Sequence, residues 1–249
     1  MANPLDGGFG NSVGNNSASG GSSIGGFGDV MGSAISRNRV LRNTYWLLAL
    51  SMVPTVFGAI IGVQAGFTKL FAGSPGMAAI VFLVGAFGFM FAIEKFKNSS
   101  VGVVLLMAFT FFMGLMLSRL IGSILGFSNG GTLIAIAFGG TATVFVVMAS
   151  IATVSKRDFS GMGKWLMVGA VILLVASLLN IWLKLPALHL TVSVLAIVIF
   201  SAFMLYDVQR VVNGGETNYV SATLSIYLNI YNVFTSLLSI LGIFGGNKD

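Results

Sequence analysis

The sequence predicts an all-α polytopic membrane protein with seven transmembrane helices, and three observations predict it. The first is composition: 56% of the 249 residues are hydrophobic and 8% are charged, where a water-soluble domain carries about 25% charged residues. Seven acids, thirteen bases and one histidine cannot clothe a globule of this size in water, so lipid is the solvent for most of the chain. The second is spacing: from Thr44 onward, apolar stretches of about 17 to 23 residues recur with short breaks, and each can cross a ~30 Å hydrocarbon layer at 1.5 Å per residue. The third is pattern. Strict alternation of the barrel type is missing, and an open sheet would leave backbone groups unpaired in lipid, which leaves helices.

The formal charge of +6 does not point to nucleic acid. The bases are scattered between apolar runs as loop anchors rather than gathered on one face, so the expected surroundings are the lipid bilayer and no nucleic acid. The chain has no cysteine, which excludes disulfides, thiolate chemistry and Cys-type metal centres.

Taken in order, residues 1–43 form an N-terminal segment, and 1–36 are dominated by Gly, Ser and Asn with apolar residues only singly placed. Such a stretch cannot bury enough surface to offset its ordering entropy and reads as a flexible tail. It lacks the charged start, apolar core and cleavage site of a signal peptide. A basic cluster follows, Arg37, Arg39 and Arg42. The membrane domain covers 44–244, with spans near 45–66, 77–93, 101–118, 132–154, 166–184, 188–207 and 221–243, and 245–249 make a short external tail. With the leader inside, the inner segments hold nine bases (the three arginines, Lys95, Lys97, Lys156, Arg157, Lys164 and Arg210) and the outer ones four, Lys69, Arg119, Lys184 and Lys248. The positive-inside rule then sets the N-terminus in the cytoplasm and the C-terminus outside. Six spans with a re-entrant last segment is the alternative, because that segment is unusually polar.

Several features inside the spans ask for an explanation. Gly58, Gly62 and Gly66 recur every four residues in span 1, a stripe that permits close helix approach within the chain or between two copies. Pro54 bends the same span. The Phe- and Met-rich spans 2 and 3 are ordinary lipid-facing and core filling. In the last span Ser221, Ser225, Asn229, Asn232, Ser236 and Ser239 fall at intervals of four, four, three, four and three, which puts all six on one helix face. A face this polar belongs in the centre of the bundle, as hydrogen-bonding glue or as the wall of a wet path. Asp207, at the inner margin of span 6, can pair with Arg210 at i+3 or act as a titrating or cation-binding carboxylate. Glu94, followed by Lys95 and Lys97, is a solvated inner edge. His189, after Pro186 at the outer start of span 6, is a hydrogen-bonding wedge or a group titrating near neutral pH.

Catalytic signatures are missing: no Gly-x-Ser-x-Gly, His-Glu-x-x-His or Walker loop occurs, and one histidine cannot supply a metal cluster. The span serines have no nearby His or Lys at a sensible depth, so the expectation is a protein that is not an enzyme, with no cofactor and no metal.

The stretches Leu205-Tyr206-Asp207-Val208-Gln209-Arg210 and Ile226-Tyr227-Leu228-Asn229-Ile230 resemble the late signature of the Bax inhibitor-1 (TMBIM) family of seven-span proteins, an acid ending span 6 and a polar span 7. Leu41-Arg42-Asn43-Thr44-Tyr45, Pro186-Ala187-Leu188-His189-Leu190, Gly214-Gly215-Glu216-Thr217-Asn218-Tyr219 and Ser236-Leu237-Leu238-Ser239-Ile240-Leu241-Gly242 are similar to its bacterial YccA-like branch, over about residues 38 to 244. The resemblance implies a Bax inhibitor-1-like bundle in the bacterial inner membrane. It implies as partner the FtsH protease complex, which the branch modulates as a slowly degraded substrate. For other members it implies a pH-sensitive calcium or proton leak gated by two aspartates that share a proton between spans 6 and 7. Asp207 matches the first of those positions. Asn229 stands at the second and cannot ionise, and residues 77–93 hold no Arg or Lys to match the basic partner in span 2.

Overall fold

A computed structural model describes residues 22–67 and 75–246, with side chains from Asn38 onward. The chain divides into two units, Met1–Ser36 and Arg37–Asp249, and the second contains all seven spans. The helices among the described residues are α1 (Ser22–Gln64), α2 (Pro75–Phe96), α3 (Ser100–Leu125), α4 (Gly130–Val154), α5 (Gly163–Leu183), α6 (Pro186–Val212) and α7 (Tyr219–Gly245), with one 3-10 turn at Ser160–Met162. Seven of these stretches are long and apolar enough to cross a membrane, beginning with Asn38–Gln64 of α1. The six-span alternative fails, because α7 is one uninterrupted helix of 27 residues rather than a re-entrant turn.

Most boundaries fall close to those predicted, and the exceptions share one cause. α3 and α6 run on past residues 118 and 207, because a helix continues through the headgroup region where charged residues such as Arg119 and Arg210 are already in water. Apolar counting stops at the charge; the backbone does not. The membrane boundary set at Thr44 likewise falls inside α1, whose helix starts at Ser22 within the leader. Residues 1–21 of the leader, Lys69 and the final 247–249 with Lys248 lie outside the described residues.

The bundle has an apolar core with buried hydroxyls set into it, and its outside is oily. Thr44, Ser51, Thr55, Thr110, Ser118, Thr141 and Thr223 are buried, while Trp46, Phe57, Phe91 and Val154 are exposed. Most buried hydroxyls donate to a carbonyl one turn back in their own helix, as Thr55 Oγ1 does to Ser51 at 2.9 Å and Thr141 Oγ1 to Ala137 at 2.7 Å. That arrangement satisfies a polar group in lipid without a second helix. All three tryptophans are exposed. Trp165 and Trp182, at the two ends of α5, stand ~25 Å apart along the helix axis, the separation of the two interfaces where Trp is enriched.

α7 is the axis around which the other helices gather. It packs most extensively on α6, and also on α2, α3 and α4, while Thr55 and Thr44 of α1 reach it through hydrogen bonds. None of its residues from Tyr219 to Gly242 is exposed. α5 is at the rim, with Leu173 alone fully buried. The hairpin to α6 is closed locally: Lys184 adopts a left-handed conformation (φ 51°), the Asn180 side-chain carbonyl accepts from Leu185 N at 2.9 Å, and Pro186 opens the next helix, a Pro-at-start arrangement that loses no hydrogen bond.

Gly58 and Gly62 of α1 face α3 of the same chain. A Cβ on Gly58 would collide with the Phe111 carbonyl, one on Gly62 would stand 2.6 Å from Ser118, and one on Gly114 of α3 would strike the Thr55 carbonyl. Intrachain packing therefore accounts for the stripe, by the small-residue contact that membrane helices use. Gly66, with a φ of 64°, ends the helix, a conformation that costs glycine nothing.

Candidate functional site

The local sequence before α7 sets where α7 begins. Gly214, at φ 77°, turns the chain back so that the amides of Gly215 and Glu216 both donate to the Arg210 carbonyl, at 2.8 and 3.1 Å. Glu216 then accepts from the Asn218 amide and approaches the Arg210 guanidinium at 3.4 Å. Asn218 caps the helix, its Oδ1 accepting from Val220 N at 2.9 Å and Ser221 N at 3.1 Å. Capping of this kind is worth about 1 kcal/mol. Its Nδ2 donates across to Asn98 Oδ1 at 2.8 Å and the Lys97 carbonyl at 3.2 Å, which ties the start of α7 to the α2–α3 turn. Glu94 and Lys97 form an exposed ion pair at 2.8 Å beside it, the solvated edge expected there.

From this anchored start, α7 carries Asn229 to Asp207 on α6. Asn229 is buried, and its Nδ2 donates to Asp207 Oδ2 at 2.8 Å. The offset in sequence depth, with Asn229 further into its helix than Asp207, is absorbed by the added turn at the end of α6. Asp207 does not pair with Arg210, contrary to the i+3 reading. The guanidinium lies over the Tyr206 ring, 5.7 Å from its centroid, and turns to Glu216. The loop acid Glu216, partly exposed, takes the arginine at the helix end, and the buried carboxylate takes an amide donor instead.

The rest of the predicted stripe divides among separate contacts. Ser225 is half-buried and Ser236 buried. Asn232 donates to the Leu228 carbonyl at 2.8 Å, and Ser239 meets His189 Nε2 at 2.6 Å. That last pair brings a span serine to a histidine at an exposed position rather than at depth. It joins the start of α6 to the end of α7. Among the described residues no three His, Cys, Asp or Glu side chains come together to hold a metal ion.

Three sets of contacts carry no local signal in the sequence. Tyr227 is buried on α7, and its hydroxyl stands 2.8 Å from Thr55 Oγ1 on α1; Tyr231 donates to the Met113 carbonyl of α3 at 3.3 Å. Gln209, buried beside Asp207, donates to the Arg157 carbonyl at 2.6 Å and accepts from Phe159 N at 2.7 Å. It clamps the α4–α5 loop onto α6. The polar residue adjoining Arg210 was visible as a motif member, but its partner lies about fifty positions away.

A family model described as Inhibitor of apoptosis-promoting Bax1 matches residues 37–246. The chain belongs to the Bax inhibitor-1 family. Within this family it is 42% identical over 210 residues to the Escherichia coli K12 protein named Modulator of FtsH protease YccA, covering 84% of this chain and 92% of that one. A counterpart from Escherichia coli O6:H1, named Inner membrane protein YccA, matches to the same extent. A protein of Vibrio cholerae described as an uncharacterized membrane protein is 40% identical over 213 residues, 86% of this chain and 93% of the relative.

The Bax inhibitor-1 match begins at the residue where the second unit begins, so the site lies entirely inside the family domain. The two positions that the family resemblance singles out do meet. Chemically they form one carboxyl group held by an amide that donates at every pH, and a permanent donor fills the place where a second acid would need a proton to do the same.

Proposed function

We propose that this chain sits in a bacterial inner membrane and modulates an FtsH-type AAA protease, as a substrate that is engaged at its leader and released from the membrane slowly. The observation that carries the reading is the 42% identity to the FtsH modulator over 84% of this chain and 92% of that relative, too complete for a shared single helix or loop. The distribution of bases, nine against four, supports an orientation with the leader in the cytoplasm and the C-terminus periplasmic. A Gly-, Ser- and Asn-rich leader is a segment that an unfolding motor can grip without first melting a core. The bundle that follows resists extraction: α7 is capped at its start, bonded to α1, α3 and α6 along its length, and joined to His189 near its end.

Deleting residues 1–36 tests this. The half-life of the truncated protein should lengthen several-fold in cells with active protease, and turnover of other substrates of that protease should change. Membrane ion permeability should stay the same. Unchanged turnover of both kinds would remove the mechanism.

A second reading, a calcium or proton leak at the α6–α7 contact, is favoured by one observation: a carboxylate and an amide 2.8 Å apart inside the bundle. Proteoliposomes carrying Asp207→Asn, assayed between pH 5 and 8, decide it. Flux that depends on Asp207 supports the leak; flux absent from the parent, or equal in parent and variant, discards it.

A further inference from the structure

We infer that the crevice between α1 and α4 is a binding site for an anionic phospholipid, with its headgroup on the basic end of the bundle and its acyl chains against the floor formed by α7. The crevice holds about 1230 Å³ and runs along α1 from Tyr45 to Gln64. Its walls are apolar and open to the bilayer, with Val56, Ile60, Phe138 and Val146 all about half exposed or more. A surface of this kind in lipid is filled by hydrocarbon, since an empty gap forfeits the dispersion contacts of its lining.

The apolar lining suits hydrocarbon, and acyl chains are thin enough to enter the crevice side by side.

Charge chooses between lipids. On α1 the crevice is lined at Tyr45, Ala49, Met52 and Val56, and Arg42 lies on that same face, three residues before Tyr45 and seven before Ala49. On α4 it is lined as far as Val154, and Lys156 and Arg157 follow at once, both exposed. The ion pairs among the described residues are Glu94 with Lys97 and Arg210 with Glu216, so Arg42, Lys156 and Arg157 are bound to no acid. Among the described residues the acid beside them, Asp158, is engaged by Ser160, which donates from its amide at 2.8 Å and its hydroxyl at 2.9 Å. Three free cations against one occupied carboxylate make this mouth positive, and basic pockets between membrane helices attract anionic headgroups.

The test uses the full chain, purified in detergent and delipidated, with melting temperature followed during titration with phosphatidylglycerol or with phosphatidylcholine of the same acyl chains. Phosphatidylglycerol should raise the melting temperature by about 5 °C more than phosphatidylcholine at saturation, as expected for a ligand that binds only the folded state. Combining Arg42→Gln, Lys156→Gln and Arg157→Gln should abolish that difference. Ala49→Trp, which fills the crevice from an exposed position, should abolish retention of lipid in native mass spectrometry while leaving the lipid-free melting temperature within about a degree of the parent. Equal shifts with the two lipids, a difference that survives in the triple variant, or photo-crosslinks from position 49 that capture only protein would overturn the assignment.

Discussion

Asn229→Asp gives a protein whose stability falls more steeply with rising pH than the parent's, and the effect is one of the two largest expected for a single substitution. The parent contact is an amide donating to Asp207 Oδ2 at 2.8 Å, and it needs no proton from solvent. With Asp at both positions, the same contact survives only while one proton is shared between the two carboxyls, because like charges at that separation cannot both be ionised. The linkage follows. The folded variant holds a proton at a pH where the unfolded chain, with carboxyl groups near 4, has released it. Its stability is therefore complete in acid and falls as pH rises through the titration of the folded pair. Breaking a buried pair in this way costs roughly 3 kcal/mol, so melting temperature should drop by about 5 to 10 °C more than the parent's between pH 5 and pH 8. A profile in the variant no steeper than the parent's would mean that the α6–α7 contact opens to water without cost. Asn229→Ala serves as the reference, since it removes the donor without adding a titrating group.

How much of this was legible in the sequence depends on whether the cause is local. The seven spans were, because hydrocarbon thickness imposes a minimum length that no neighbour can change. The centrality of α7 was legible too: a serine or asparagine every three to four residues from 221 to 239 cannot face lipid, and the fold buries that side against its neighbours. The meeting of Asp207 with Asn229 came from family resemblance, and its geometry came from the Gly214 turn and the added turn of α6. The Thr55–Tyr227 and Gln209–Arg157 contacts were hidden, because each joins residues far apart in the chain whose types recur throughout it. Arg210 shows the limit of spacing rules. An i+3 acid was available to it in Asp207, and the loop offered Glu216 instead. The glycine stripe shows the same limit in another form: its first two members pack on α3, and the third ends the helix.

Gly114→Val is the substitution with the largest expected effect on the fold, and it bears directly on the proposed function. A Cβ at position 114 would meet the backbone of Thr55 and of Ala59. Backbone cannot rotate aside as a side chain can, so α1 and α3 must separate, and overpacking of this kind costs about 1–3 kcal/mol or more. The displacement also pulls Thr55 Oγ1 from the Tyr227 hydroxyl that it meets at 2.8 Å, leaving a buried tyrosine unpaired, which adds a further ~1–3 kcal/mol. Melting temperature in detergent should fall by about 5 °C or more. Gly88→Ala is the matched control: its added methyl meets nothing within 4 Å, and replacing glycine by alanine within a helix is favourable by up to ~1 kcal/mol. The comparison separates two ways of limiting proteolysis. If the bundle's resistance to extraction sets the slow step, Gly114→Val should be degraded several-fold faster than the parent in cells with active protease, although its leader is unaltered, and Gly88→Ala should be degraded at the parental rate. If capture of the leader sets the step, the destabilised variant should be degraded no faster than the parent.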